Sequence, residues 1–422
     1  MRPTAPAVVV GLDCITGLQT ARILARRGVP VIGIARDPRH FACRTRFCTR
    51  VIEAETDGPG LLDALERLAA ELPEPGVLVP CSDGAVLALS RGRERMLRHY
   101  RLVLPDADVV EMLIDKVRFL ELAQRIGLPI PRTYLIRDRA GAREAAAQLG
   151  FPAVVKPPMK SPAWQRATRA KAFKVHDAAE LLAIHERYGP FAEVLIAQEW
   201  IEGAESELYS CNCYYGREGR PLATFVARKL RQWPPETGTS SLGEEVRNDA
   251  VLAATLQLFD AVGYRGLGYV EMKRDARSGR QLVIEPNVGR PTGRSAIAEA
   301  GGVELLYTMY CDATGRPLPE ARVQRYVGAR WIYWCHDFQA ALHAWWGGRL
   351  TLREWARSWS GRKAEAVLAW SDPMPFVLDL ARSARRGLEL ALGRLRRIGR
   401  RRGSAGAAEP AKKRLESSDP LR

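Results

Sequence analysis

Three apolar runs in the first eighty residues, each parted from the next by a helix-forming stretch, set the tightest limit on how this chain folds. Ala7–Gly11, Val29–Ala35 and Gly76–Pro80 are short, rich in valine and isoleucine and lack polar alternation, as strands covered on both faces must. Gln19–Arg27 and residues 59–72 read as helices, and another helix follows Ser82. Strands alternating with helices build a parallel, doubly wound α/β sheet. Gly11 and Gly17 bracket the first strand–helix turn, but the G-x-G-x-x-G of a dinucleotide-binding turn is absent.

The pattern changes near Asp115. Gly127-Leu-Pro-Ile-Pro131 breaks a helix, because proline cannot continue one. Strands at Thr133–Ile136, Pro152–Lys156, Lys171–Val175 and Val194–Trp200 then run beside helices at Ala140–Leu149 and from Asp177 to Tyr188, with Pro157–Thr168 read as a loop. Further strands at 207–215 and 221–229, a helix at 248–262 and a hairpin at 266–286 complete an α+β pattern. The expected organisation is an α/β domain at 1–114, a second unit at 115–325 with subdomains of about 115–200 and 201–325, a mostly helical, basic extension at 326–402 and a disordered tail at 403–422.

The formal charge of +16 invites a nucleic-acid reading, but its placement argues otherwise. Residues 382–402 hold nine arginines and one acid, Glu389, so half the excess sits in one terminal segment. There Leu378, Leu388, Leu392 and Leu395 alternate with arginines, which suits a basic helix lying on anionic lipid or a plain solvated one. Nucleic acid is therefore a disfavoured partner. The eight cysteines include no C-x-x-C pair, and Cys211 and Cys213 fit buried reduced thiols on one strand face. No run approaches the roughly 18–20 apolar residues of a spanning helix. The start, Met1-Arg-Pro-Thr-Ala-Pro, has no secretory signal pattern. A cytoplasmic protein is expected, peripheral to the inner face of the membrane if the basic helix binds lipid.

The chemistry concentrates in the hairpin. Gly266-Leu-Gly-Tyr-Val-Glu271-Met-Lys-Arg runs into a turn and returns as Gln281-Leu-Val-Ile-Glu285-Pro-Asn287. Pairing Arg274 with Arg280 sets Glu271 opposite Val283, with Glu285 its diagonal neighbour roughly 7–8 Å away on the same face. Strand alternation adds Asn287 to that face. Two carboxylates and an amide are hard oxygen ligands that favour Mg²⁺ or Mn²⁺ with phosphates completing the shell. Lys156 at the end of an apolar strand and Lys116 near a helix start supply positive charge for such phosphates. The competing reading is a solvated sheet face with incidental acids.

Taken in order, Asp115-Lys116, Phe151-Pro-x3-Lys156, Gln198-Glu-Trp-Ile-Glu-Gly203, Glu271 and Glu285-x-Asn287 resemble the ATP-grasp superfamily, most nearly the carboxylate–amine ligases related to D-aspartate ligase and to the ATP-binding domain of carbamoyl-phosphate synthase. The resemblance spans about residues 5–325 and implies an ATP-grasp fold behind a pre-ATP-grasp α/β domain. It implies that Lys116 and Lys156 hold the phosphates of ATP, that Glu199, Trp200 and Ile201 run along adenine, and that Glu207 meets the ribose. Glu271, Glu285 and Asn287 would bind two Mg²⁺ or Mn²⁺ ions. Arg290, Arg294 and Lys229 would serve the reacting acyl group; Lys229 and Arg231 precede the small-residue stretch 237–243, a loop suited to closing over substrate, and otherwise read as a solvated basic strand end. Small-molecule carboxylate and amine substrates follow, and a homodimer is left open. Two departures stand out: Asn287-Val-Gly-Arg290 replaces the Asn-Pro-Arg of many relatives, and Pro157–Thr168 carries Lys160, Ser161 and Arg166, with Arg169 just beyond, where glycines are usual. Carboxyphosphate chemistry like that of biotin carboxylase, or a nucleotide-bound membrane-surface protein, remain alternatives.

Overall fold

The computed structural model describes residues 4–386 and residue 389, except 160, 169, 171, 236 and 237. Residues up to Phe376 form one compact unit, and a second begins at Val377, of which Val377–Arg386 are helical. Most of the expected basic terminal helix, and all of the 403–422 tail, lie outside the described residues.

The first sheet is parallel throughout. Its strands are β1 (Ala7–Val10), β2 (Val31–Ala35), β3 (Arg50–Glu53), β4 (Gly76–Pro80) and β5 (Tyr100–Arg101), in the order β3-β2-β1-β4-β5. The apolar runs became the three central strands, each buried along its whole length. β3 and β5 give no such signal, one being half-exposed Arg-Val-Ile-Glu and the other two residues long, because edge strands need not be apolar. The glycines of the first turn serve packing. A Cβ on Gly17 would stand 2.3 Å from the Gly11 carbonyl oxygen, so glycine lets the helix Ile15–Arg26 close on the strand it follows.

A four-stranded antiparallel sheet follows, made of β6 (Thr133–Ile136), β7 (Ala153–Lys156), β8 (Phe173–Val175) and β9 (Leu195–Glu199) in the order β6-β9-β7-β8. The expected loop Pro157–Thr168 contains a helix, Pro162–Ala167. Ser161 caps it, and Trp164 pins it as a fully buried member of this sheet's core. Lys160 and Arg169 lie outside the described residues.

The third sheet has seven strands: β10 (Leu208–Tyr215), β11 (Pro221–Trp233), β12 (Thr239–Glu245), β13 (Gly266–Arg274), β14 (Gln281–Val288), β15 (Arg330–Ile332) and β16 (Lys363–Glu365). Their order is β14-β13-β10-β11-β12-β15-β16. Two corrections arise here. The segment expected to be helical from residue 326 supplies two strands to this sheet, because β12 would otherwise leave its ladder groups unpaired. The helix Lys116–Arg125, assigned from sequence to the 115–200 subdomain, packs Phe119, Leu120 and Leu122 into the core beneath the seven-stranded sheet.

Gly17→Ala tests the turn. The added methyl meets a backbone oxygen that cannot move aside, so a loss of about 1–3 kcal/mol of stability is expected in urea unfolding, as for an overpacked site.

Candidate active site

The β13–β14 hairpin is not in the register expected from its turn. Arg274 pairs with Gln281 and Met272 with Val283, and a one-residue bulge at Ile284 then sets Glu271 directly opposite Glu285 and Tyr269 opposite Asn287. The carboxylates are thus closer than diagonal neighbours, with Cβ atoms about 4.5–5.5 Å apart by strand geometry. β14 is the edge of the sheet, where Pro286 needs no ladder donor.

Cations close on this pair from other elements. Lys229 of β11 feels Glu271 first and Glu285 further off, while burial pulls its ammonium below the ordinary lysine range. Lys156 ends β7 in the four-stranded sheet, where burial and then Lys116 lower it and Glu285 opposes. Lys116 is the first residue of a helix capped by Asp115, which accepts from the Val117 and Arg118 amides at 2.8 and 3.0 Å. Glu285 is raised, by burial first and by Glu271 second, against the pull of the two lysines. Lys116, Lys156, Gln198, Glu285 and Asn287 line one cavity of about 580 Å³ between the two sheets.

The loop after β14 adds two arginines. Arg294, 4% exposed, donates to Ser240 and Ser210 at 2.9 Å each, and Ser210 stands opposite Glu271 on β10. Arg290 donates to Asp83 at 2.5 Å, to the Tyr269 hydroxyl at 2.9 Å and to the Asn287 amide oxygen at 2.6 Å. Asp83 opens the helix after β4, so the parallel sheet contributes one wall at its strand ends, where open α/β sheets bind ligands.

The donors suit a hard divalent cation. Glu271 and Glu285 form no ion pair among the described residues, and the Asn287 oxygen keeps a second lone pair while its buried amide nitrogen has no hydrogen-bond partner among them. Among the described residues no group of three or more His, Cys, Asp or Glu gathers as a metal site. Glu, Glu and Asn is a sparse set that leaves room for phosphate oxygens.

No family model matches the chain. It is 24% identical over 262 residues to D-aspartate ligase of Enterococcus faecium, covering 58% of this chain and 61% of that one. It is 25% identical over 204 residues to D-alanine–D-alanine ligase of Stutzerimonas stutzeri (46% of this chain, 62% of the relative). Against the carbamoyl phosphate synthase large chain of Neisseria meningitidis, 24% identity runs over 339 residues, 75% of this chain but 30% of that one. The chain therefore spans less than two thirds of each of these relatives. Among solved structures, the biotin carboxylase domain of Hydrogenobacter thermophilus 2-oxoglutarate carboxylase, in complex with MgADP and bicarbonate, superposes with TM-score 0.58 at 14% identity (76% of this chain, 72% of that one). N5-carboxyaminoimidazole synthetase of Staphylococcus aureus gives 0.58 at 15%, covering 76% and 79%. The chain has the ATP-grasp fold that these structures share.

Within that ATP-grasp frame the expected residues divide. Lys116, Lys156, Lys229, Glu271, Glu285, Asn287, Arg290 and Arg294 converge as described. Trp200 carries Lys174 4.5 Å and Lys273 6.0 Å from its ring centre. Glu199 turns away from the cavity to accept from the Gly150 amide at 3.0 Å. The Ile201 carbonyl accepts from Lys273 and the Trp200 carbonyl from Arg277, so the side of this strand offered to a base is smaller than the sequence implied. Glu207 accepts from the Tyr209 hydroxyl at 3.3 Å, whereas Glu205, unremarked in the sequence, is among the acids acting on Lys229, after Glu271 and Glu285, and on Lys273, after Glu202 and Asp275. Arg231 is not a substrate cation. It makes two 2.8 Å bonds to fully buried Asp337, which also holds Trp355. Ser210, Ser240 and Asp83 were missed because each is an ordinary polar residue until the fold sets it against an arginine.

Raising Glu285 on folding keeps its proton bound to a higher pH in the native state than in the unfolded chain, so stability falls as pH rises through that range. Glu285→Gln removes the repulsion. Its melting temperature, measured by calorimetry at neutral pH in EDTA, should exceed the parent's by roughly 1–3 °C, with the gap closing in acid.

Proposed function

We propose that this chain is an ATP- and magnesium-dependent ligase that activates a substrate carboxylate as an acyl-phosphate and joins it to an amine, releasing ADP and phosphate. The observation that carries the reading is Glu285, paired across the hairpin with Glu271, together with Asn287 on the wall of a cavity that Lys116 and Lys156 also line. Relatives named as D-aspartate and D-alanine–D-alanine ligases support the same class.

In this reading Lys116 and Lys156 hold the phosphates and neutralise charge on the γ-phosphoryl oxygens as the substrate carboxylate forms its bond to phosphorus and the bond to ADP breaks. Glu271, Glu285 and Asn287 would hold Mg²⁺ or Mn²⁺, two ions as proposed, which neutralises the phosphate oxygens when bound. Arg294, fixed by two serines, and Arg290, fixed by Asp83 and Tyr269, supply positive charge where the tetrahedral adduct forms after the amine attacks the acyl carbon. Phosphate then leaves, and the amine gives up its proton. In this reading Lys229, half-buried beside Glu271, assists that step. Glu205 replaces Glu207 as the proposed ribose contact, and the backbone of 199–201 stays the proposed adenine edge. A cytoplasmic setting belongs to the same proposal.

The test is ADP release screened over carboxylates paired with amines, in Mg²⁺. Activity should require both partners, and Glu285→Gln and Lys156→Met should each cut it by at least about 10²-fold, as loss of a charge-stabilising group does. Equal turnover in Glu285→Gln would overturn the metal site. ADP formed with bicarbonate and no amine would replace this reading with carboxyphosphate chemistry.

A further inference from the structure

The outer face of the helices Trp334–Trp346 and Leu352–Arg357 contributes no residue to the cavity lined by Lys116, Lys156 and Glu285. The first helix turns Cys335, Asp337, Ala340 and Ala341 inward, where Asp337 binds Arg231, Ser241 and Trp355. Its opposite face carries Phe338, Leu342 and Trp345 at i, i+4 and i+7, with Trp346 beside them. Phe338, Trp345, Trp346 and Leu352 are 55%, 48%, 72% and 63% exposed. Phe338, Trp345 and Leu352, with Leu342, Leu350 and Trp355, border an apolar groove of about 50 Å³. Trp331 is in the core, but Trp345 and Trp346 stand in solvent. Such a patch marks a surface that something covers.

The charges around it select what. Arg349, Arg353 and Arg357 are exposed at its rim, and among the described residues none of the three forms an ion pair. The acid between them, Glu354, is occupied in capping its own helix through Thr351. A second copy of the chain docking on this face by two-fold symmetry would set these arginines against their own counterparts, which repels. Lipid phosphates would not. Indole rings at the water–hydrocarbon boundary with guanidinium groups beside them are the composition of a surface that lies on an anionic bilayer. In sequence the chain continues into the nine arginines of 382–402, of the same sign. No described helix is long and apolar enough to cross a membrane, so the contact is peripheral.

We infer that the Phe338–Trp345–Trp346–Leu352 face, ringed by Arg349, Arg353 and Arg357, docks on an anionic lipid surface. This inference does not depend on the ligase reading. The full-length chain is sedimented with vesicles of phosphatidylcholine alone and of phosphatidylcholine with phosphatidylglycerol. It should partition onto the anionic vesicles, and Trp346→Ser and the double change Trp345→Ser/Trp346→Ser should weaken that partition, the double by about tenfold. Arg349→Glu/Arg353→Glu should do the same while keeping the parent's melting temperature, which separates lost docking from lost folding. Three results would overturn it: no partition onto either vesicle, partition unchanged in the tryptophan variants, or a concentration-dependent dimer in light scattering that those variants abolish.

Discussion

Glu271 and Glu285 stand face to face across one rung of a hairpin, half out of water, and two like charges held that way raise the free energy of the fold. The bulge at Ile284 creates the arrangement, since without it the two strands would run in the register of their turn and Glu271 would meet an apolar neighbour. Much of the surrounding structure answers the repulsion. Lys229 arrives from the next strand but one, Lys156 from the end of a strand in a different sheet, and Lys116 from a helix start. None of these elements is adjacent in sequence to the hairpin.

The answer is incomplete on the protein's side alone. Burial that sharpens the interaction of opposite charges also weakens the hold of Lys156 and Lys229 on their protons and the release of one by Glu285. Lys116 further repels Lys156, just as Glu271 repels Glu285. A polyphosphate carrying a divalent cation relieves both at once, bringing negative charge to the lysines and positive charge to the acids. That complementarity is the physical core of the proposed reaction, and it explains why a cleft poised for binding is less stable than it could be.

The chain's other buried cations do different work with the same side chains. Arg22 is locked to Asp372 at 2.9 Å and Arg231 to Asp337, so two buried ion pairs fasten the segment after residue 330 to the first helix and to β11. Arg294 is as deeply buried, yet it holds only neutral serine hydroxyls and keeps its charge for the cleft. Sequence cannot separate these arginines, because what distinguishes them is whether a carboxylate far along the chain faces them.

What the sequence determined by itself was set by local rules. Unbroken apolar runs specified β1, β2 and β4, proline and glycine marked the break before β6, and the spacing of acids with an amide on a two-residue period marked the face of the hairpin proposed to bind metal, along with the lysines that resemble an ATP-grasp site. Tertiary structure decided whatever depended on a partner distant in the chain. It fixed the rung on which the two glutamates meet, since a bulge is a matter of pairing and not of composition. It buried Trp164 inside an expected loop, turned the Glu199 side chain toward the Gly150 amide, brought Glu205 near Lys229 and Lys273, drew two strands from a mostly helical extension and left Trp345 and Trp346 in water. In each case the residue type permits both outcomes, and only the neighbour supplied by the fold chooses between them.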